Sequence, residues 1–214
     1  MATRILLAGG TGLVGGLLTA RLLRRADVAL DSVVRAARGP CQRAVDFEAL
    51  VADPASIGPA ETDVGVSCLG TTLRAAGSAA AFRRVDLNYV AAFARAARAA
   101  GATRFILVSS VGAGGRGLYL EVKGRAERAV ASIGFERVDI VRPSLLLGPR
   151  TDRRPAEAAA QLAAPLLNPL MVGPLARYRA VGADVVAAAI DRLTGATAPG
   201  THVHGVRELE RLAA

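Results

Sequence analysis

An α/β fold built on a parallel, doubly wound sheet is predicted by three observations on this 214-residue sequence. Short apolar runs of strand length alternate with helix-periodic segments along most of the chain. A glycine turn follows the first of these runs and opens the first helix, the order of a βα unit. The hydrophobic fraction is 52%, rich in alanine, leucine and valine and without tryptophan, which suits a sheet covered on both faces by closely packed helices.

The elements follow in order. Arg4 to Ala8 reads as a buried strand, and the turn from Gly9 to Gly16 leads into a helix running to about Arg25. Ser32 to Ala36 is a second strand, Arg43 to Phe47 a short third one, and Pro54 to Pro59 a turn-rich connection. Asp63 to Leu69 is the fourth strand, ended by Gly70-Thr71-Thr72. Apolar residues at Phe82, Val85, Leu87, Val90, Phe93 and Ala97 predict one long helix from Ser78 to Ala100, stopped by Gly101. Phe105 to Ser109 is the fifth strand, Leu118 to Ile133 a helix, and Arg137 to Val141 the sixth strand. After Gly148 the pattern loosens into a helix near Pro155 to Leu167, a Pro/Gly-rich loop through Pro174, a helix over Ala183 to Leu193, and a short terminal strand and helix.

The length fits one domain over residues 1–214, with 150–214 as a small substrate-side or C-terminal region. No apolar run reaches the ~18 residues of a membrane span. The chain enters its first strand almost at once, so a cytoplasmic location is expected. Cys41 and Cys68 make no disulfide framework, and no Cys/His spacing is that of a metal site; His202 and His204 read as structural residues of one strand. The net charge of +9 raises nucleic acid as a partner, but the arginines are scattered over alanine-rich helices with little aromatic surface between them, so no nucleic-acid role is expected.

The glycines satisfy Gly-x-Gly-x-x-Gly at Gly10, Gly12 and Gly15, and Gly-x-x-Gly-x-x-Gly at Gly9, Gly12 and Gly15. Between a strand and a helix, such a turn aims backbone N–H groups and the helix dipole at a pyrophosphate, which makes the fold Rossmann-like. Counting about 20 residues onward, where an acidic residue would hold the ribose hydroxyls of NAD, reaches Arg35 in Val34-Arg35-Ala36-Ala37-Arg38. Two arginines there favour NADP(H), with NAD as the alternative. Ser109-Ser110 ends the fifth strand at the side where ligands bind in such sheets. Beyond it lie Tyr119 and Lys123, one helical turn apart; Lys123 is the single lysine in a chain whose other 26 basic residues are arginine. A serine hydroxyl can hold a substrate carbonyl while a tyrosine exchanges a proton with it. Free tyrosine titrates near 10, so this chemistry wants a neighbouring cation, and a compact ammonium fits where a guanidinium does not.

The glycine turn, Asp46 in VDFEAL, CLGTT at 68–72, VSSVGA, Tyr119-x-x-x-Lys123 and RPSLLLGPR occur in the order found in an atypical short-chain dehydrogenase/reductase. The sequence most resembles the small NADP-binding oxidoreductase-like family that includes the human Tat-interactive metastasis suppressor, over nearly its whole length. The resemblance implies that Thr11, Gly12, Leu13 and Val14 touch the cofactor phosphates, Arg38 the 2′-phosphate and Asp46 the adenine. It also implies that Leu69 and Gly70 lie along the adenosine side, that Leu146 and Arg154 make further cofactor contacts, and that Tyr119 and Lys123 form the active centre. The chain departs from its relatives in having Ala37-Arg38 where they carry paired arginines. It departs from the nucleotide-sugar epimerases in reading Asp86-Leu87-Asn88-Tyr89-Val90 where they show Asn-Val-x-Gly-Thr.

The expected function is an NADP(H)-dependent oxidoreductase acting on a small carbonyl or alcohol, with Tyr119, Lys123 and Ser110 as the catalytic set. An NADP(H)-binding regulatory protein with little catalysis, and a nucleotide-sugar epimerase or dehydratase, are the competing readings. The segment from Ala156 to Pro174 could form an apolar lid or a homodimer contact, so the oligomeric state is left open.

Overall fold

The computed structural model describes residues 2–57, 61–148 and 173–214. Arg154 and the helix expected near Pro155 to Leu167 lie outside the described residues. Seven strands form one sheet in the order β3-β2-β1-β4-β5-β6-β9, every adjacent pair parallel. They are β1 (Thr3–Ala8), β2 (Val28–Val34), β3 (Gln42–Ala44), β4 (Val64–Ser67), β5 (Arg104–Val108), β6 (Arg137–Val141) and β9 (Gly200–His204). A two-stranded parallel ladder joins β7 (Leu146–Leu147) to β8 (Val181–Gly182).

Alternation along the strands sends side chains into two cores. Ile5 and Leu7 of β1, with Val64, Val66 and Ile106, pack against helix α1 (Leu13–Leu22) through Val14, Leu18 and Leu22. The C-terminal helices α7 (Ala183–Leu193) and α8 (Val206–Ala213) complete that face through Val186, Ile190 and Leu209. Leu6, Ala8, Val33, Phe105 and Leu107 point the other way, toward α2 (Phe47–Ala52), α5 (Val90–Ala99) and α6 (Leu118–Ala131). Burying each Leu or Phe of these layers stabilises the fold by about 1.5–3 kcal/mol. Residues 183–214 thus extend the sandwich itself, adding its last strand and two of its covering helices.

The second strand, expected over Ser32 to Ala36, runs instead from Val28 to Val34, and the β7–β8 ladder was not expected. Three further elements differ from the sequence expectation. The expected strand from Arg43 to Phe47 stops at Ala44, because the Asp46 carboxylate accepts the Glu48 N–H at 2.8 Å and starts α2. A short helix α3 (Leu73–Ala76) follows β4, capped by Thr72. The long helix expected from Ser78 to Ala100 is instead α4 (Ala79–Arg83), a π-helical segment over Arg84–Tyr89, and then α5. The wider turn brings Phe82, Asp86 and Val90 inward, leaving Val85 and Leu87 only partly buried.

At the far edge, His204 of β9 contacts Asp139 of β6, Nε2 to Oδ1, at 2.7 Å, and Arg137 grips the same carboxylate with two bonds of 2.7 Å. Burial alone would lower the His204 pKa, but the Asp139 carboxylate, with Glu208 beyond it, holds it above the usual 6.5. Burial works against the Asp139 carboxylate too, yet His204 and Arg137 keep its pKa below 3.8. A raised histidine stabilises the fold below its unfolded pKa and loses that contribution as pH rises through the folded one. The lowered aspartate contributes above 3.8 and loses its part as pH falls. Urea midpoints measured from pH 5 to 9 are therefore expected to decline above about pH 6.5. In His204→Gln that decline should be shallower, and an unchanged slope would remove His204 as its source.

Candidate functional site

The strand order turns back between β1 and β4, and the loops after β1, β4, β5 and β6 meet at that point. They enclose a cleft of about 780 Å³. One wall is the glycine turn, Thr11 to Gly15. Gly12 is the N-cap of α1 and offers no side-chain cap, so the first N–H groups of the helix are free to face an anion. The turn is shaped by Gly9, at φ +84° against the Cys68 and Leu69 backbone, and by Gly15, where a Cβ would lie 2.1 Å from the Gly9 carbonyl oxygen. Gly9 itself sits beneath the turn, not on the cleft wall, whereas Thr11, Gly12, Leu13, Val14 and Gly15 line it.

Leu69, Gly70, Thr71 and Thr72 after β4 form the floor, and Leu146 lines the side after β6. Cys68 also reaches the cleft, but burial pushes its thiol up to about 12, so it stays protonated at neutral pH.

Tyr119 and Lys123 of α6 enter the same cleft as Ser109 and Ser110. Tyr119 is 37% exposed, its ring stacked on Phe82 with centroids 5.7 Å apart, and Lys123 Nζ lies 5.9 Å from its ring centre. Its neighbours divide the two serines. The Ser109 hydroxyl donates to Glu127 Oε1 at 2.5 Å, and Glu127 also takes a two-point grip from Arg142, at 2.9 and 2.5 Å. Ser110, half-buried, makes only a 3.4 Å bond to the Val111 carbonyl and keeps its hydroxyl available to the cleft. Tyr119, Lys123 and Glu127 follow one another at four-residue steps on α6, so one stripe of the helix carries both the cleft residues and the brace behind them.

Two of these partners escaped the sequence analysis. Glu127 had a signal in its spacing, four residues beyond Lys123. Asp86 had one in its position, a carboxylate inside an apolar helical stripe. Asp86 is fully buried, with Oδ1 2.7 Å from Lys123 Nζ and Oδ2 accepting the Thr71 N–H at 2.8 Å.

A second cavity, of about 370 Å³, opens beyond β2 and β3 between Arg35, Ala44, Val45, Asp46, Phe47 and Tyr89. Phe47 and Tyr89 pack at 5.3 Å, and Glu48 bridges Arg84 Nε, at 2.6 Å, and the Tyr89 hydroxyl beside them. Asp46 is exposed at this cavity, as an adenine contact would be. Both arginines are exposed; Arg35 lines the cavity, and Arg38 lies in the β2–β3 connection, where its backbone N–H bonds Gln42 Oε1 at 2.8 Å.

An NAD(P)H-binding family model matches residues 9–164. Protein fmp52, mitochondrial, of Aspergillus fumigatus is 34% identical over 92% of this chain and 91% of its own length. Protein HTATIP2 of Rattus norvegicus is 44% identical over 56% of this chain, a match that spans 49% of that relative. Among solved structures, the human epimerase family protein SDR39U1 with NADPH superposes with a TM-score of 0.67 at 18% identity, over 94% of this chain and 73% of that one. At that identity the likeness speaks for the fold. The expected cytoplasmic location is overturned by the fungal relatives, 34–43% identical and named mitochondrial. The early start of β1, on which that expectation rested, reports how the sheet is packed and carries no information about compartment. With the glycine turn, the Tyr119–Lys123 pair and the whole-length relatives together, the chain belongs to the NAD(P)H-binding family and is an atypical short-chain dehydrogenase/reductase.

Proposed function

We propose that this protein is an NADP(H)-dependent oxidoreductase acting on a small carbonyl or alcohol substrate, within one domain, and that it works in the mitochondrion as the names of its fungal relatives suggest. The reading is carried by one observation: Tyr119, Lys123 and Ser110 share a cleft with the glycine turn. The residues fit the cofactor, since the uncapped start of α1 suits a pyrophosphate and Gly15, where a Cβ would strike the Gly9 carbonyl, lets the turn close tightly on that helix start.

The nicotinamide, when bound, supplies or accepts a hydride at the substrate carbon. In the reducing direction Ser110 holds the carbonyl oxygen, and the Tyr119 hydroxyl gives that oxygen its proton as the alcohol forms. Lys123 would hold the ribose beside the nicotinamide, and its charge stabilises the negative charge left on the Tyr119 oxygen.

For the cofactor, Arg35 and Arg38 are the two candidates to hold a 2′-phosphate, and Arg35 has the better placement. Arg35→Ala is expected to weaken NADPH binding about tenfold, as one charge-assisted contact is lost, and to leave NADH unchanged. Arg38→Ala tests the assignment that the family resemblance implies. Equal affinity for NADH and NADPH, untouched by either substitution, would end the NADP preference. The enzyme reading itself is tested by screening aldehydes, ketones and quinones for loss of NADPH absorbance. A protein that binds NADPH and oxidises it with none of them is the regulatory protein of the competing reading.

A further inference from the structure

The geometry points to Asp86 as a positioning residue that sets the Lys123 ammonium for the nicotinamide-side ribose, an inference that rests on the function proposed above. Asp86 lies in the π-helical segment Arg84–Tyr89 and is fully buried. Its two oxygens are divided between two parts of the cleft: Oδ1 is 2.7 Å from Lys123 Nζ, and Oδ2 accepts the Thr71 N–H at 2.8 Å. The Lys123 side chain is itself only 7% exposed, and a Cβ built on Gly70 would stand 3.5 Å from both Nζ and Oδ1. The loop after β4 therefore closes directly over the ion pair, and its glycine permits that approach.

The consequence for Lys123 is electrostatic. The buried Asp86 charge, 2.7 Å away on the side of α4 and α5, holds the ammonium as an ion pair without hydrogen-bond geometry, so it fixes where Nζ sits and leaves its N–H donors to other partners. Without that carboxylate, a flexible four-carbon stem would have to be ordered by the cofactor itself. Asp86 does not line the second cavity, where Arg35 and Asp46 stand. Its tie to the Gly70–Thr71 loop is the Thr71 N–H, which an amide oxygen in its place still accepts, so removing its charge alone should act on the nicotinamide half.

Asp86→Asn is the informative variant, because its volume is the same and its amide oxygen can still accept the Thr71 N–H, while the charge is gone and its NH2 then faces the ammonium. The measurement is a fluorescence titration of the full-length protein with NADPH, paralleled by calorimetric titration with 2′,5′-ADP, which carries the adenosine half alone. Asp86→Asn is expected to weaken NADPH about tenfold and to change 2′,5′-ADP by less than about twofold. In a Lys123→Met background the same substitution should change NADPH by no more than about twofold, since the group it positions is gone. Unaltered NADPH affinity in Asp86→Asn would overturn the proposal, as would an equal loss of both ligands, which would make Asp86 a residue of the fold alone. A wild-type protein that binds NADPH no more tightly than 2′,5′-ADP would overturn it differently, by removing the nicotinamide-side site on which the proposed function depends.

Discussion

Tyr119→Phe is expected to lower the rate of NADPH oxidation by about 10²–10⁴-fold with any carbonyl substrate that the wild-type protein accepts, the range associated with a positioned general acid. The variant isolates one atom. Phenylalanine keeps the ring, hence the stacking on Phe82 at 5.7 Å and the position of Lys123 Nζ at 5.9 Å from the ring centre. NADPH affinity should therefore stay within about twofold of wild type, because uniform binding is untouched and only the transition state loses its proton donor. Lys123→Arg, charge-conserving, is expected to fall by a comparable factor for a different reason. The ammonium is nearly buried, with Asp86 on one side and the Gly70 loop on the other, and the planar guanidinium is too large for that space. Steady-state kinetics beside equilibrium titration separates the two effects: Tyr119→Phe changes turnover alone, and Lys123→Arg changes turnover and affinity together. Wild-type turnover in Tyr119→Phe would remove the proton-transfer role and leave a protein that only holds its cofactor.

What could be read from the sequence divides along a physical line. Strand runs such as Ile5 to Ala8 and Phe105 to Leu107 are buried on both faces, so their side chains are apolar without interruption and each announces itself locally. Tyr119, Lys123 and the glycine turn were legible for the same reason, since an i to i+4 spacing and a turn between strand and helix are local geometry. The partners that set these groups are not local. Asp86 meets Lys123 from another element, and Glu127 meets Ser109 and Arg142 across three. The π-helical segment was hidden as well, because Phe82, Val90 and Phe93 satisfy an α-helical period to within a residue, and the extra residue shows only when Asp86 is found facing inward. Asp46 had two roles in one position. Its family resemblance marked a ligand contact, while its capping of α2 explains why the chain leaves the sheet there. The sequence favoured Arg38 over Arg35 for the 2′-phosphate; the bend after β2 leaves both exposed but puts Arg35 on the cavity and Arg38 in the following loop, a placement no local pattern encodes.

The glycine turn supplies the second large effect, and it comes as a contrast between neighbours. A Cβ at position 15 would lie 2.1 Å from the Gly9 carbonyl oxygen and 2.8 Å from its carbon. These are backbone atoms, and Gly9 has no room to retreat: it stands at φ +84° with its own Cα facing the Cys68 backbone, where a Cβ would come within 2.5 Å. Relief in Gly15→Ala must come from moving α1, whose Leu18 and Leu22 are buried against the sheet. The expected cost is about 3 kcal/mol of stability, the upper part of the usual range for overpacking. Displacing the first turn of α1 also takes its N–H groups off the pyrophosphate, so NADPH binding should weaken by about a hundredfold or more. One residue on, a Cβ at Gly16 would meet nothing nearer than the Gly10 carbonyl oxygen at 3.6 Å, an ordinary contact. Gly16 lies within α1, where alanine is the better helix former, so Gly16→Ala is expected to raise stability by about 0.5–1 kcal/mol. Urea denaturation and NADPH titration of the two variants side by side make the test. If both behaved alike, the turn would be a flexible connection; opposite signs are what a rigid phosphate cradle built on Gly9 and Gly15 requires.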